Sequence, residues 1–171
     1  MPANLLRTVN DNDLPIPGTD PWYARADDSA ITVMTDFRER ASVAVPETTC
    51  IDAALEHMKY AGVRCAFATN DLHRVVGMIT AYDILGEVPM RYMQSVAAQR
   101  KDVVVRDIMV KLAQWRVVEA RDLEQMTVET LHQIFESTRL THIPVMESNA
   151  DAARQLRGLL SASKVRRLLT L

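Results

Sequence analysis

The segment Gly77-Met-Ile-Thr80-Ala-Tyr-Asp83 closes an apolar run with a hydroxyl and sets a carboxylate three residues later. Two chemistries use that spacing. At a helix start, Thr80 accepts from the backbone N–H of Asp83 while the acidic side chain compensates the first turn, a capping box that contributes about 1 kcal/mol and needs no ligand. The same helix start suits a phosphate beside the Thr80 hydroxyl, and Asp83, which only accepts hydrogen bonds, suits the two hydroxyls of a ribose. Capping holds in either case. Gly77 allows a second stretch of backbone to pass close by.

A related segment, Gly158-Leu-Leu-Ser161-Ala-Ser-Lys164, keeps the glycine and the hydroxyl but answers Asp83 with a lysine. A lysine has no lone pair for a ribose, so it either attracts a phosphate or stays solvated. Ser161 to Lys164 has the SxxK form of a serine nucleophile but none of its companion motifs. His57, His73, His132 and His142 are scattered, and Cys50 and Cys65 sit in apolar segments outside any metal-ligand spacing. No phosphate loop, dinucleotide fingerprint or nucleophile elbow occurs. Neither catalysis nor a bound metal is expected.

The elements that must carry these residues are periodic. Ile51, Ala54, Leu55 and Met58 form an amphipathic helical stripe, with Thr48 or Thr49 as its N-cap. VRCAFAT and RVVGMIT, joined at Asn70-Asp71, are two strands of a hairpin, and AYDILGE starts another helix. With the leading stretches ITVMTDF and SVAV, the order is strand, helix, strand, strand, helix. That order returns about 80 residues later, in VRDIMVKL, WRVVEA, TVETLHQIF, LTHIPVM and RGLLSASKV, with a few extra residues in the second hairpin (ESNADAARQL). EVPMRYMQSVAAQRKD reads as a connecting helix. Residues 1–29, marked by Pro15, Pro17 and Pro21, read as a tail or wrapping arm, with Trp22 and Tyr23 either pinning it to the body or forming a short hydrophobic patch of their own. Met34, Met58, Met78, Met109 and Met126 read as core filling.

The duplicated order, with the VMT and IMV openings, the HIPV strand and the GMITAYDIL and GLLSASKVRRL closings, resembles a tandem pair of CBS domains, the modules named after cystathionine beta-synthase. The resemblance covers residues 30 to 171, as repeat 1 over 30–87, a connecting helix over 88–103 and repeat 2 over 104–171. It implies an α+β architecture of two pseudo-symmetric βαββα units packed through their sheets, with a cleft on either side of the pseudo-twofold axis. It also implies an adenosine-containing ligand: AMP, ADP, ATP, NAD or S-adenosylmethionine, with no cofactor required. The family pattern makes Thr80 and Asp83 the ribose-phosphate element and places adenine near Val43, Val63 and Arg64, with Arg64 on phosphate. Ser161, Lys164 and His142 fall in the second cleft as possible phosphate contacts, and one nucleotide per chain is expected. The alternative is a ligand-independent dimerisation or docking scaffold.

Bulk properties bound the partners. A formal charge of −2 over 171 residues supplies no field for nucleic acid, and the basic run from Arg154 to Arg167 reads as a solvated helix face. No apolar run is long enough to span a bilayer, and a count of only two cysteines fits a reducing compartment. The expectation is a cytoplasmic, non-catalytic homodimer that signals to a protein partner.

Overall fold

The computed structural model describes residues 21–148 and 154–169; Pro15, Pro17 and most of the extra residues in the second hairpin lie outside them. Two four-stranded sheets form, and each is built around a hairpin. In the first, β3 (Cys65–Thr69) pairs antiparallel with β4 (Val75–Thr80), and Cys65 lies opposite Thr80. In the second, β7 (His142–Ser148) pairs with β8 (Arg154–Ser161), and His142 lies opposite Ser161. The turn after β3 is held by Asn70, whose Oδ1 accepts from the N–H groups of Leu72 and Arg74 at 3.1 and 2.9 Å.

Short strands complete the sheets. β2 (Ala44–Pro46) runs parallel to β3, and β6 (Val118–Glu119) runs parallel to β7. The outer strands are exchanged: β1 (Thr35–Asp36) pairs with β8, while β5 (Val110–Lys111) pairs with β4. Chain order had suggested that ITVMTDF opens the first unit, but its strand completes the second sheet. Its first half is a 3-10 turn over Ala30–Val33.

Glycine explains where these crossings occur. A Cβ on Gly158 would lie 2.6 Å from the Thr35 carbonyl oxygen, and one on Gly77 would lie 2.8 Å from that of Val110. The close backbone approach anticipated at Gly77 is therefore the approach of β5.

The helices bury the expected stripes. α1 (Ile51–Tyr60) buries Ile51, Ala54, Leu55 and Met58, and α6 (Val128–Thr138) buries Val128, Leu131 and Phe135. Thr127 caps α6 by accepting from the Thr130 N–H at 3.2 Å. Neither Thr48 nor Thr49 caps α1. The residue before it is Cys50, and the Ile51 N–H donates to the Val103 carbonyl at 3.1 Å, so backbone from the connecting segment replaces a side-chain cap. That segment is broken: α3 (Val88–Val96) ends at Ala97 in the left-handed region (φ 53°), and a 3-10 turn follows at Arg100–Asp102. Two short helices, α4 (Val105–Ile108) and α5 (Ala120–Gln125), precede β5 and α6.

Each unit has its own apolar core. Phe67, Met78 and Cys65 form a third cluster, against which Phe37, Trp115 and Leu159 pack from both sheets, so it is the seam between them. Phe67 sits edge-on to Phe37 at 5.6 Å and beside Trp115 at 5.7 Å. The segment from Ala24 wraps the second unit through backbone: Ala24 donates to Leu168 at 3.0 Å and Ala30 to Met126 at 2.8 Å. Trp22 and Tyr23 do not pin it. They are 74% and 53% exposed and meet each other edge to face, while main-chain bonds hold the segment. Among the described residues, no helix is long and apolar enough to cross a membrane.

Candidate functional site

Both hairpins end in a helix start of the same build. The Ala81 N–H donates to the Arg64 carbonyl at 2.9 Å, and the Ala162 N–H donates to Thr141 at 2.9 Å, so each helix is hung from the residue that opens the partner strand. The residues before those strands correspond as well: Gly62 and Arg139 both take the left-handed region, at φ 68° and 56°. This places Val63 and Arg64 at equal rank with Leu140 and Thr141. It also aligns α2 (Ala81–Leu85) with α7 (Ala162–Leu169), hence Asp83 with Lys164.

The capping box at the first start is complete. Thr80 Oγ1 accepts from the Asp83 N–H at 3.2 Å, while Asp83 Oδ2 accepts from the Thr80 N–H at 2.8 Å and from the Thr80 hydroxyl at 2.7 Å. Thr80→Ala removes two of these three bonds. It is expected to lower stability by about 1 kcal/mol in a urea titration, and an unchanged midpoint would show the cap to be dispensable. At the second start the hydroxyl of Ser161 meets that of Ser163 at 3.0 Å.

A cleft of about 530 Å³ opens between the two sheets. One wall carries Val43, Val63 and Arg64 of the first unit; the other carries Ser161, Ser163, Lys164 and Arg167 of the second. Phe37, Phe67 and Leu159 supply apolar floor, and Thr35, Ser42 and His142 supply polar groups. Among the described residues, three cations therefore line the cleft and no carboxylate does. Such a surface stabilises anions. His142 is buried, with Nδ1 3.1 Å from the Thr141 hydroxyl; burial, and after it the charge of Arg64, bring its pKa down to about 4, so it is a neutral hydrogen-bonding group near pH 7. Burial, and after it the Asp83 carboxylate, push the Cys65 thiol up to about 12, which leaves it unreactive.

Comparison with known proteins matches this arrangement. Residues 36–89 match the CBS domain family model. No curated protein sequence is significantly similar to the chain. Among solved structures, CBSX2 in complex with AMP superposes with a TM-score of 0.55 at 24% identity, over 81% of this chain and 93% of that one. The CBS-pair protein CBSX2 from Arabidopsis thaliana gives 0.52 at 23% identity, over 81% and 92%. A CBS-domain containing protein from Agrobacterium tumefaciens gives 0.57 at 16% identity, over 91% and 98%. The chain has the fold of a CBS-domain pair.

The CBS pair distributes the expected site residues in a way the sequence did not indicate. Val43, Val63 and Arg64 share the open cleft with Ser161, Lys164 and His142, while Thr80 and Asp83 do not line it. The reason is the packing of the seam, which faces the α7 start of one unit towards the strand openings of the other. Thr80 is buried and Asp83 half-buried, beside Cys65 in the cluster on which Trp115 packs. Trp115 is fixed there by its Nε1, which donates to the Val110 carbonyl at 3.1 Å.

Phe37, Ser42, Ser163 and Arg167 are cleft residues that the motif reading of the CBS pair passed over. Arg167 carried a signal, since it stands one helical turn after Lys164 and so shares its face. Phe37 carried none, because its place depends on the exchange of β1.

Proposed function

We propose that the chain is a non-catalytic regulatory module, which binds an adenine nucleotide in the open cleft of its CBS pair and passes occupancy to a protein partner. The observation that carries this reading is an apolar slot joined to Arg64, Lys164 and Arg167. The base lies between Val43 and Val63, the sugar runs along Ser161 and Ser163, and the phosphate meets the cations. CBSX2, a structural neighbour, is crystallised in complex with AMP, which supports the ligand class. The two walls come from different sheets, so a ligand bridging them favours one relative arrangement of the units by its differential affinity. Exposed Tyr60, Leu85 and Met90 on the neighbouring helices α1, α2 and α3 offer an apolar face for a second copy.

Thermal-shift titration with AMP, ADP, ATP, NAD and S-adenosylmethionine tests the proposal. A phosphate-bearing ligand at 100 times its Kd is expected to add about 2.7 kcal/mol of stability, with one site per chain by calorimetry. Cationic S-adenosylmethionine is expected to bind least well. If none of the five shifts the transition, the ligand reading falls. The scaffold alternative, supported by the fully satisfied cap at Thr80, then stands if sedimentation shows a dimer.

Asp83→Ala locates the ligand. Binding in the open cleft is expected to survive it within about twofold; loss of all nucleotide binding would instead put the sugar on Asp83, where the family pattern has it.

A further inference from the structure

The open cleft has a counterpart in the duplicated chain, and strand register defines it. Cys65 opposite Thr80 corresponds to His142 opposite Ser161, which sets Ala68 level with Val145. Val45 pairs with Ala68 and Val118 pairs with Val145, so those two valines correspond. Three residues earlier in each unit stand Ser42 and Trp115. The crossing strands agree, since Thr35 approaches Gly158 as Val110 approaches Gly77.

Cross-strand partners and alternate residues share a sheet face. In the second unit, His142, Leu159 and Ser161 turn one such face to the open cleft, and the small, exposed Ser42 leaves it clear. The matching face of the first unit carries Cys65, Met78 and Thr80, and there the half-buried Trp115 packs on Cys65, Phe67 and Met78. Its ring centre lies 5.7 Å from that of Phe67, and its Nε1 donates to the Val110 carbonyl at 3.1 Å. Gln114 Oε1 accepts from the Lys111 N–H at 3.2 Å and closes the 3-10 turn over Leu112–Gln114 that delivers the indole. Thr35, the counterpart of Val110, lines the open cleft. An indole is a flat ring with an N–H donor, and it uses an aromatic neighbour and a carbonyl as an amino-purine base can.

We propose that Trp115 fills the counterpart cleft in the place of a ligand's base, holding that half of the pair in a filled state so that only the open cleft responds to ligand. The proposal rests on the nucleotide reading above and adds to it a latent second site with a built-in occupant. Removing the indole exposes the face that carries Thr80, beside which the cap engages Oδ2 of Asp83 and leaves Oδ1, among the described residues, as an acceptor.

Isothermal titration of the full chain with AMP and with adenosine tests it in two reciprocal variants. Trp115→Ser gives the counterpart cleft the residue of the open one, and is expected to raise the stoichiometry from one ligand per chain to two. Adding Asp83→Ala to Trp115→Ser is expected to remove the second site and keep the first. Ser42→Trp places an indole in the open cleft, and is expected to weaken binding there roughly 10-fold or more. Ser42 is exposed, so this variant tests the correspondence even where Trp115→Ser does not fold, which circular dichroism checks. A single site in folded Trp115→Ser, or binding by Ser42→Trp within about twofold of wild type, overturns the assignment of Trp115 while the nucleotide reading stands. If neither the wild type nor any variant binds either compound, the nucleotide reading has failed and the latent site falls with it.

Discussion

Gly158→Ala is expected to lower the unfolding free energy by about 2 to 3 kcal/mol, the upper range for overpacking a close contact. The added Cβ would lie 2.6 Å from the Met34 sulfur and 2.6 Å from the Thr35 carbonyl oxygen. A methionine end can swing aside, but the carbonyl belongs to β1, whose only sheet partner among the described residues is β8, through Thr35 opposite Leu159 and Asp36 opposite Gly158. The strain therefore displaces a strand. With β1 goes the ion pair of Asp36 with the half-buried Arg157, and the cleft loses Thr35 and Phe37 from its lining. Nucleotide binding is expected to weaken together with stability, which separates this variant from an ordinary core defect. Gly77→Ala repeats the experiment at the other crossing, where Met109 and Val110 stand in the same relation. Unfolding free energies from urea titration of both variants within about 0.5 kcal/mol of wild type would mean that the outer strands are not held as described.

These glycines also mark the limit of what the chain order discloses. The helical stripes of α1 and α6, the two hairpins, the cap at Thr80 and the duplication are local patterns, and each is found where its residues place it. The exchange of β1 and β5 is not local. Two-residue strands carry no periodic signal, and their partner is a sheet edge far along the chain, as Thr35 with Leu159 and Lys111 with Gly77 illustrate. Gly77 and Gly158 advertise a close approach without naming what approaches. The α1 start fails as a side-chain cap for a similar reason, since Val103 reaches it from the far end of the connecting segment.

The site divides along the same line. Each of Val43, Val63, Arg64, Ser161, Lys164 and His142 sits at the mouth of an element that periodicity locates, so their gathering in one cleft follows once the units face each other. Which helix start faces which strand opening depends on the seam, and the seam is made by Phe37, Phe67 and Trp115 meeting across long separations. Without that contact, Thr80 and Asp83 read as neighbours of Val43. With it, their place is taken by Ser161 and Lys164, and the charge at that end of the cleft changes sign.

That cationic cleft has a cost that pH exposes at His142. Its imidazole titrates near 4 in the folded chain, chiefly because it is buried and secondarily because Arg64 faces it, against about 6.5 for a solvated histidine. Above pH 6.5 the ring is neutral in both states and costs nothing. As pH falls from 6.5 towards 4, the unfolded chain takes up a proton that the folded chain refuses, so stability drops; below 4 both states are protonated and this loss stops growing. The full difference is about 3 kcal/mol. Urea denaturation of wild type and His142→Gln at pH 7.5 and pH 4.5 isolates it from the titration of the carboxylates common to both. Wild type is expected to lose about 2 to 3 kcal/mol more than the variant over that interval. Arg64→Gln should recover the smaller part of the loss, since it removes the charge and leaves the burial. Equal losses in wild type and His142→Gln would show the imidazole to be solvated, and with it the cleft wall that His142 forms.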